Sequence, residues 1–161
     1  MTTAPAHHWT LRVYYEDTDL AGLVYYANYL KFIERARSEW VRDLGVDQAA
    51  LKAQGMVFAV RRVVADYLSP ARYDDVLAVT TAPVSATAAR LILRQEIRRG
   101  EALLFRAEVT LVALDDRGQP LRLPAALRQK TALSAGGAAA GGQFTPPGLE
   151  SGGIGASVAA K

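Results

Sequence analysis

The chain has 161 residues, half of them apolar and 22% charged, with a net charge of +3 and no cysteine. That length and apolar content suit one globular domain with a sizeable core, and the missing thiols exclude disulfides, thiolate nucleophiles and cysteine-based metal sites. The arginines are scattered, without an aromatic-interleaved basic block, so no dedicated nucleic-acid surface is expected.

The opening MTTAPAHHWTL has neither a basic n-region nor an apolar h-region and is not read as a secretory signal. No apolar run approaches the roughly 20 residues that span a bilayer. A cytoplasmic protein is expected. His7 and His8, the only histidines, are expected in a solvated, frayed end. That placement argues against a Ser-His-Asp triad and against a dehydratase His base; no G-x-S-x-G elbow is present either.

From Trp9 to Tyr15 the residues alternate, with Trp9, Leu11, Val13 and Tyr15 on one face, which predicts a half-buried strand. After an acidic loop, Tyr26 to Leu44 has helical period. Tyr29, Phe32, Ile33, Ala36, Trp40 and Leu44 form the apolar stripe, and Lys31, Arg35, Ser38, Glu39 and Arg42 fill the other side. Gly45 stands where a C-terminal cap belongs, and Asp47 is placed to N-cap a short helix ending before Gly55. Glu34 and Arg37, three residues apart, are expected to pair as ions or to shape the site. Four strands follow: Met56 to Ser69, Val76 to Ser85, Ala89 to Arg99 and Glu101 to Leu114, with Gly100 in a tight hairpin. Asp115 to Gln119 reads as a turn, and Pro124 to about Leu133 as a short terminal helix. One long helix and a run of antiparallel strands predict an α+β domain over residues 1–133. Residues 134–161, rich in Gly, Ala, Ser and Pro, cannot bury enough surface to offset their ordering entropy and are expected to be a disordered tail.

The loop EDTDLAG places Glu16, Asp17 and Asp19 within four positions just ahead of the helix. As a calcium loop it fails, because Ala21 stands at the fifth position and Asn28, not Glu, at the twelfth. Asp17 is explained by turn formation or capping alone. Asp19 lies too far before the helix to cap it. A carboxylate there is suited to attack an electrophile held over the helix N-terminus, or to activate water against it. Unpaired N–H groups around Val24, Tyr25 and Tyr26 would receive the developing oxyanion. Gly22 would let the backbone bend closely around the substrate.

Tyr15-x-Asp17-Thr18-Asp19-x-x-Gly22-x-Val24-Tyr25, then Tyr29 and Glu34-Arg35-Ala36-Arg37, resembles the hotdog-fold acyl-CoA thioesterases of the 4-hydroxybenzoyl-CoA type. Within them it is most similar to the YbgC branch, the Tol–Pal-associated thioesterases, through VYYEDTD, ERAR and SPARYDD. The similarity runs from about Trp9 to about Leu127. The resemblance implies a long central helix wrapped by a curved antiparallel sheet, with active sites at the interface of a homodimer that can associate into a tetramer. It implies hydrolysis of an acyl-CoA thioester without metal or other cofactor, coenzyme A being part of the substrate. The family's catalytic carboxylate falls on Asp19 and its oxyanion-binding backbone N–H on Tyr26, where many members of the branch carry a His.

Tyr15, Gly22, Val24, Tyr25, Tyr29, Glu34, Arg62 and Arg72 are the candidate substrate-binding residues. Tyr15 and Tyr29 are read as core or pocket wall. Arg61, Arg62, Arg72 and Arg90 are candidates for the phosphates of coenzyme A, since a guanidinium binds phosphate bidentately. Acyl carrier protein and enzymes of phospholipid synthesis are the candidate partners. The alternative is a non-catalytic module that binds acyl-CoA or acyl carrier protein, or a Tol–Pal-linked assembly protein.

Overall fold

The computed structural model describes residues 6–135. In chain order it contains β1 (His7–Arg12), a 3-10 turn (Tyr15–Asp17), α1 (Tyr26–Asp43), α2 (Gln48–Ala53), β2 (Val57–Tyr67), β3 (Val76–Ala86), β4 (Leu91–Arg99), β5 (Ala102–Leu114), β6 (Pro120–Leu121) and α3 (Ala125–Ala135). The strands form one antiparallel sheet in the order β1-β3-β4-β5-β2, and β6 adds to β5. β2 therefore forms one edge.

Alternation decides which face of the sheet is buried. Leu91, Leu93, Gln95 and Ile97 of β4 point inward with Phe105, Ala107, Val109, Leu111 and Ala113 of β5, and Leu77 and Val79 of β3. Against that face packs the predicted stripe of α1: Tyr29, Phe32, Ile33, Ala36 and Trp40, joined by Asn28 and Val41. Each large side chain buried this way contributes about 1.5–3 kcal/mol. The helix stops as its sequence predicts: Gly45 adopts φ +76° and returns its N–H to the Arg42 carbonyl. Asp47 then caps α2 by accepting from the N–H groups of Ala49 and Ala50.

Several expectations are corrected. β1 ends at Arg12, so Tyr15 leaves the strand and enters the 3-10 turn, because the Val13 N–H and carbonyl bond instead to Asp75 and Asp74 of the β2–β3 connection. His7 and His8 belong to β1, opposite Thr81 and Thr80, and His7 Nε2 lies 2.9 Å from Asp43 Oδ2 at the end of α1. The strand pairing holds this segment in place, so it is not a frayed end. β2 carries a bulge between Val60 and Arg62. The bulge reverses which residues face the helix: Phe58 and Val60 before it, Ala65 and Tyr67 after it. Helix α3 runs past the expected boundary to Ala135, and the rest of the expected tail, 136–161, lies outside the described residues.

Glu34 and Arg37 do not pair. Glu34 accepts from Ser38 Oγ at 2.9 Å, one turn further along α1. Arg37 instead reaches the buried Gln95, whose Oε1 accepts from its Nη1 at 2.9 Å. Gln95 donates onward to the Ile33 carbonyl (2.9 Å) and to Thr81 Oγ1 (2.8 Å), so a polar side chain among Leu91, Leu93 and Ile97 is fully bonded. Burial holds the Arg37 guanidinium below its ordinary pKa, and the nearby Glu34 pulls in the opposite direction.

Candidate active site

The acidic loop is built from its own backbone. Asp19 and Gly22 close a turn, Gly22 N–H to Asp19 carbonyl at 3.0 Å, and Gly22 supplies the φ of +74° that the chain needs to reverse. The Asp19 N–H then bonds the Leu23 carbonyl at 2.8 Å. Asp19 Oδ1 accepts from the N–H groups of Ala21 (2.9 Å) and Leu23 (3.2 Å). Oδ2 has no partner among the described residues, so the carboxylate is held by one oxygen and open at the other.

Asp17 has a different role. It is buried at the end of the 3-10 turn, its Oδ2 accepts from the Tyr14 N–H at 2.8 Å, and its carbonyl accepts from Tyr25 N–H and Asn28 Nδ2. It fixes the loop to the helix.

The supply of N–H groups is narrower than the sequence suggested. Val24 and Tyr25 precede α1, and their N–H groups are occupied by the carbonyls of Ala71 and Asp17, both at 2.9 Å. Tyr26 opens the helix without a side-chain cap, and its N–H finds no acceptor among the described residues. That group carries the positive end of the α1 dipole.

Asp19, Leu23, Val24, Tyr25, Tyr26 and Tyr29 line one cleft of about 410 Å³, whose far wall is Tyr67, Leu68, Ser69 and Pro70. Asp19 is the one carboxylate among these lining residues. Burial raises the pKa of Tyr29 and Tyr67, and the neighbouring phenol of Tyr26 raises that of Tyr25. Tyr29 anchors the cleft to the core, its Oη accepting from Ala71 N–H at 2.9 Å.

Other candidates lie elsewhere. Tyr15 is 78% exposed and stacks on Tyr73 with ring centroids 4.5 Å apart, outside core and cleft. Glu34 lines a separate hollow with Arg37, Ser38, Val41, Phe58 and Val60. Arg62 shares a strand face with Val64 and Asp66, which border a concavity on the outer side of the sheet with Arg94, Arg106 and Glu108. The bulge turns it away from the cleft. Arg72 stays close, bridged through its backbone to Leu23 beside the Asp19 turn, with its N–H on Asp75 Oδ2. Tyr67, Leu68 and Asn28 were not singled out from the sequence. Their part depends on contacts 11 to 41 residues apart, as in Asn28–Asp17 and Tyr67–Tyr26.

Residues 13–131 match the family model described as the thioesterase-like superfamily. The chain is 43% identical over 118 residues to the acyl-CoA thioester hydrolase YbgC of Escherichia coli O6:H1, covering 72% of this chain and 88% of that one. It is 38% identical to the acyl-CoA thioesterase YbgC of Haemophilus influenzae, over 71% and 85%. Among solved structures, a probable thioesterase from Bartonella henselae superposes with TM-score 0.71 at 38% identity, covering 74% of this chain and all of that one. The helix-on-antiparallel-sheet architecture is the hotdog arrangement that the resemblance implied. On this match the chain belongs to the thioesterase-like superfamily.

Proposed function

We propose that the chain hydrolyses acyl-CoA thioesters to a free acid and coenzyme A in the Asp19 cleft. The carrying observation is the asymmetry of that carboxylate: Oδ1 is tied to two loop N–H groups, and among the described residues Oδ2 has no partner, nor has the first N–H of the helix beside it. A thioester carbonyl laid across the N-terminus of α1 would direct its oxygen to the Tyr26 N–H, where charge develops as the carbon becomes tetrahedral. Asp19 Oδ2 then acts in one of two ways. It adds to the carbonyl carbon, the C–S bond breaks, and water hydrolyses the resulting anhydride. Or it takes a proton from water, whose oxygen adds to the carbon before the C–S bond breaks. In both, the thiolate leaves and is protonated to coenzyme A. Attack and oxyanion binding come from chain groups, so neither route requires a metal or prosthetic group. The naming of the Escherichia coli and Haemophilus influenzae relatives as acyl-CoA hydrolases supports the same chemistry.

We also infer a homodimer built on β2. This edge strand leaves Val57, Val60 and Val63 exposed, and an exposed apolar edge is an aggregation hazard unless a second strand pairs with it. Pairing two such dimers would give a tetramer.

Thiol release from a panel of acyl-CoAs, with Asp19→Asn beside the wild type, tests the catalytic proposal. Loss of the carboxylate is expected to lower turnover by about two to three orders of magnitude. Equal rates in both proteins would refute it. The same acyl group offered on acyl carrier protein shows whether that carrier can replace coenzyme A.

A further inference from the structure

We propose that the ring of Tyr67 sets the depth of the acyl pocket and thereby the acyl preference of the enzyme; this rests on the acyl-CoA occupying the Asp19 cleft. Tyr67 is the last residue of β2, opposite Phe105 of β5. The chain beyond it is fixed, because the N–H groups of Leu68 and Ser69 both reach the Leu104 carbonyl, at 2.9 and 3.1 Å. The backbone that carries the ring therefore has little freedom to move.

The ring sits between the cleft and the core. Behind it, Tyr29 and Phe105 stack with centroids 5.2 Å apart and are 3% and 0% exposed. Tyr67 meets both edge-on, at 5.5 Å and 5.1 Å, and remains 48% exposed on the cleft side. Tyr29 already borders the cleft, and the ring of Tyr67 stands between an acyl group and Phe105. Its hydroxyl donates to the Tyr26 carbonyl at 3.2 Å, which spans the cleft from β2 to the first turn of α1. Tyr26 closes the arrangement with an edge contact at 6.2 Å.

Two consequences follow from this geometry. A compact acyl group fills the space above the ring, whereas a long chain meets the ring end-on. Truncating Tyr67 extends the cleft past Tyr29 to Phe105 without touching Asp19 or the Tyr26 N–H. The change should therefore alter which thioester is preferred more than it alters the chemistry.

The test is kcat/KM on propionyl-, benzoyl- and dodecanoyl-coenzyme A for the wild type, Tyr67→Ala, Tyr67→Leu and Tyr67→Phe, with Asp19→Asn as the chemical blank. Tyr67→Ala and Tyr67→Leu are expected to raise the dodecanoyl-to-propionyl ratio by about 10-fold or more, chiefly through KM, as pocket methylene contacts discriminate by factors of this order. Tyr67→Phe keeps the ring and should keep the wild-type ratio. A uniform loss on all three substrates would overturn the proposal, as would a Tyr67→Phe shift as large as that of Tyr67→Ala. Where Tyr67→Ala fails to fold, the ratio measured for Tyr67→Leu decides in its place. Failure of the underlying catalytic reading has its own signature: wild type and Asp19→Asn then run at equal rates whatever the Tyr67 ratios show.

Discussion

Asn28 Nδ2 donates to the Asp17 carbonyl at 2.9 Å in a buried contact, and the same carbonyl accepts the Tyr25 N–H at 2.9 Å. One backbone oxygen thereby joins the acidic loop to the first turn of α1. The spacing between the Asp19 carboxylate and the Tyr26 N–H depends on that joint. Asn28→Ala is expected to cost about 1 kcal/mol of stability. Its kcat should fall further than that loss explains, since misplacement of about 1 Å can cost up to about 100-fold. In Asn28→Asp an ionised carboxylate faces a carbonyl it cannot bond, and a protonated one can donate. Its deficit in melting temperature relative to wild type should therefore narrow in acidic buffer. A deficit that stays constant with pH would contradict the role given to the amide.

The two oxygens of Asp19 separate structure from chemistry. Asparagine retains an Oδ1 that can accept from Ala21 and Leu23. Asp19→Asn should remain within about 0.5 kcal/mol of wild type in denaturant melts while losing turnover. Asp19→Ala should lose the same turnover and, in addition, about 1–2 kcal/mol. Equal destabilisation by both substitutions would show that the carboxylate charge itself holds the loop.

Gly22 is constrained by its backbone and has open space around it. A Cβ there would meet no atom within 4 Å, yet φ is +74°. Gly22→Ala is expected to cost about 1–2 kcal/mol from the left-handed conformation alone, and Gly22→Asn less, since Asn tolerates that region better. Chemical denaturation of the two variants measures the difference. A KM unchanged in Gly22→Ala would remove Gly22 from the substrate-binding residues.

Gln95 ties three groups of the core together. Gln95→Leu leaves the Arg37 guanidinium, the Ile33 carbonyl and Thr81 Oγ1 without this partner. A loss of about 3 kcal/mol or more is expected, because the stranded group is a half-buried cation. Adding Arg37→Leu should recover part of it. A double-mutant cycle reads the coupling, and simple additivity would rule out the network.

Two phenols of the cleft make stability sensitive to alkali. Burial is the largest influence raising the pKa of both Tyr29 and Tyr67 above the ordinary value of about 10. The unfolded chain ionises these groups near that value and the native chain only above it. Their contribution is therefore complete below about pH 10 and is lost as pH rises through the native values. Melting temperature should decline across that window, and less steeply in Tyr67→Phe. An identical decline in the variant would remove Tyr67 from the account.

Much of the architecture was legible in the residue pattern. Period 3.6 between Tyr26 and Leu44, the strand-like runs of four later segments, Gly45, Asp47 and Gly100 at their turns all concern neighbours within a few residues. Local sterics and one-sided burial act at that range, so the elements emerged close to their observed bounds. The Asp19 loop was also legible, since a Gly three residues after an Asp is a local turn signal and three acids ahead of a helix need an explanation.

Contacts between distant segments depend instead on the folded packing. Helical spacing suggested that Arg37 pairs with Glu34, but burial brought Gln95 of β4 to it, 58 positions away. The bulge at Val60/Arg62 shifted the face of every later β2 residue, which carried Arg62 away from the cleft and Tyr67 into it. Val24 and Tyr25 looked as able as Tyr26 to donate an N–H until Ala71 and Asp17 were seen to occupy them. Local patterning specified the elements and marked Asp19 as the candidate acid. Which groups stand free to use it was settled by packing, because a hydrogen bond is made or left open according to what the fold brings within about 3 Å.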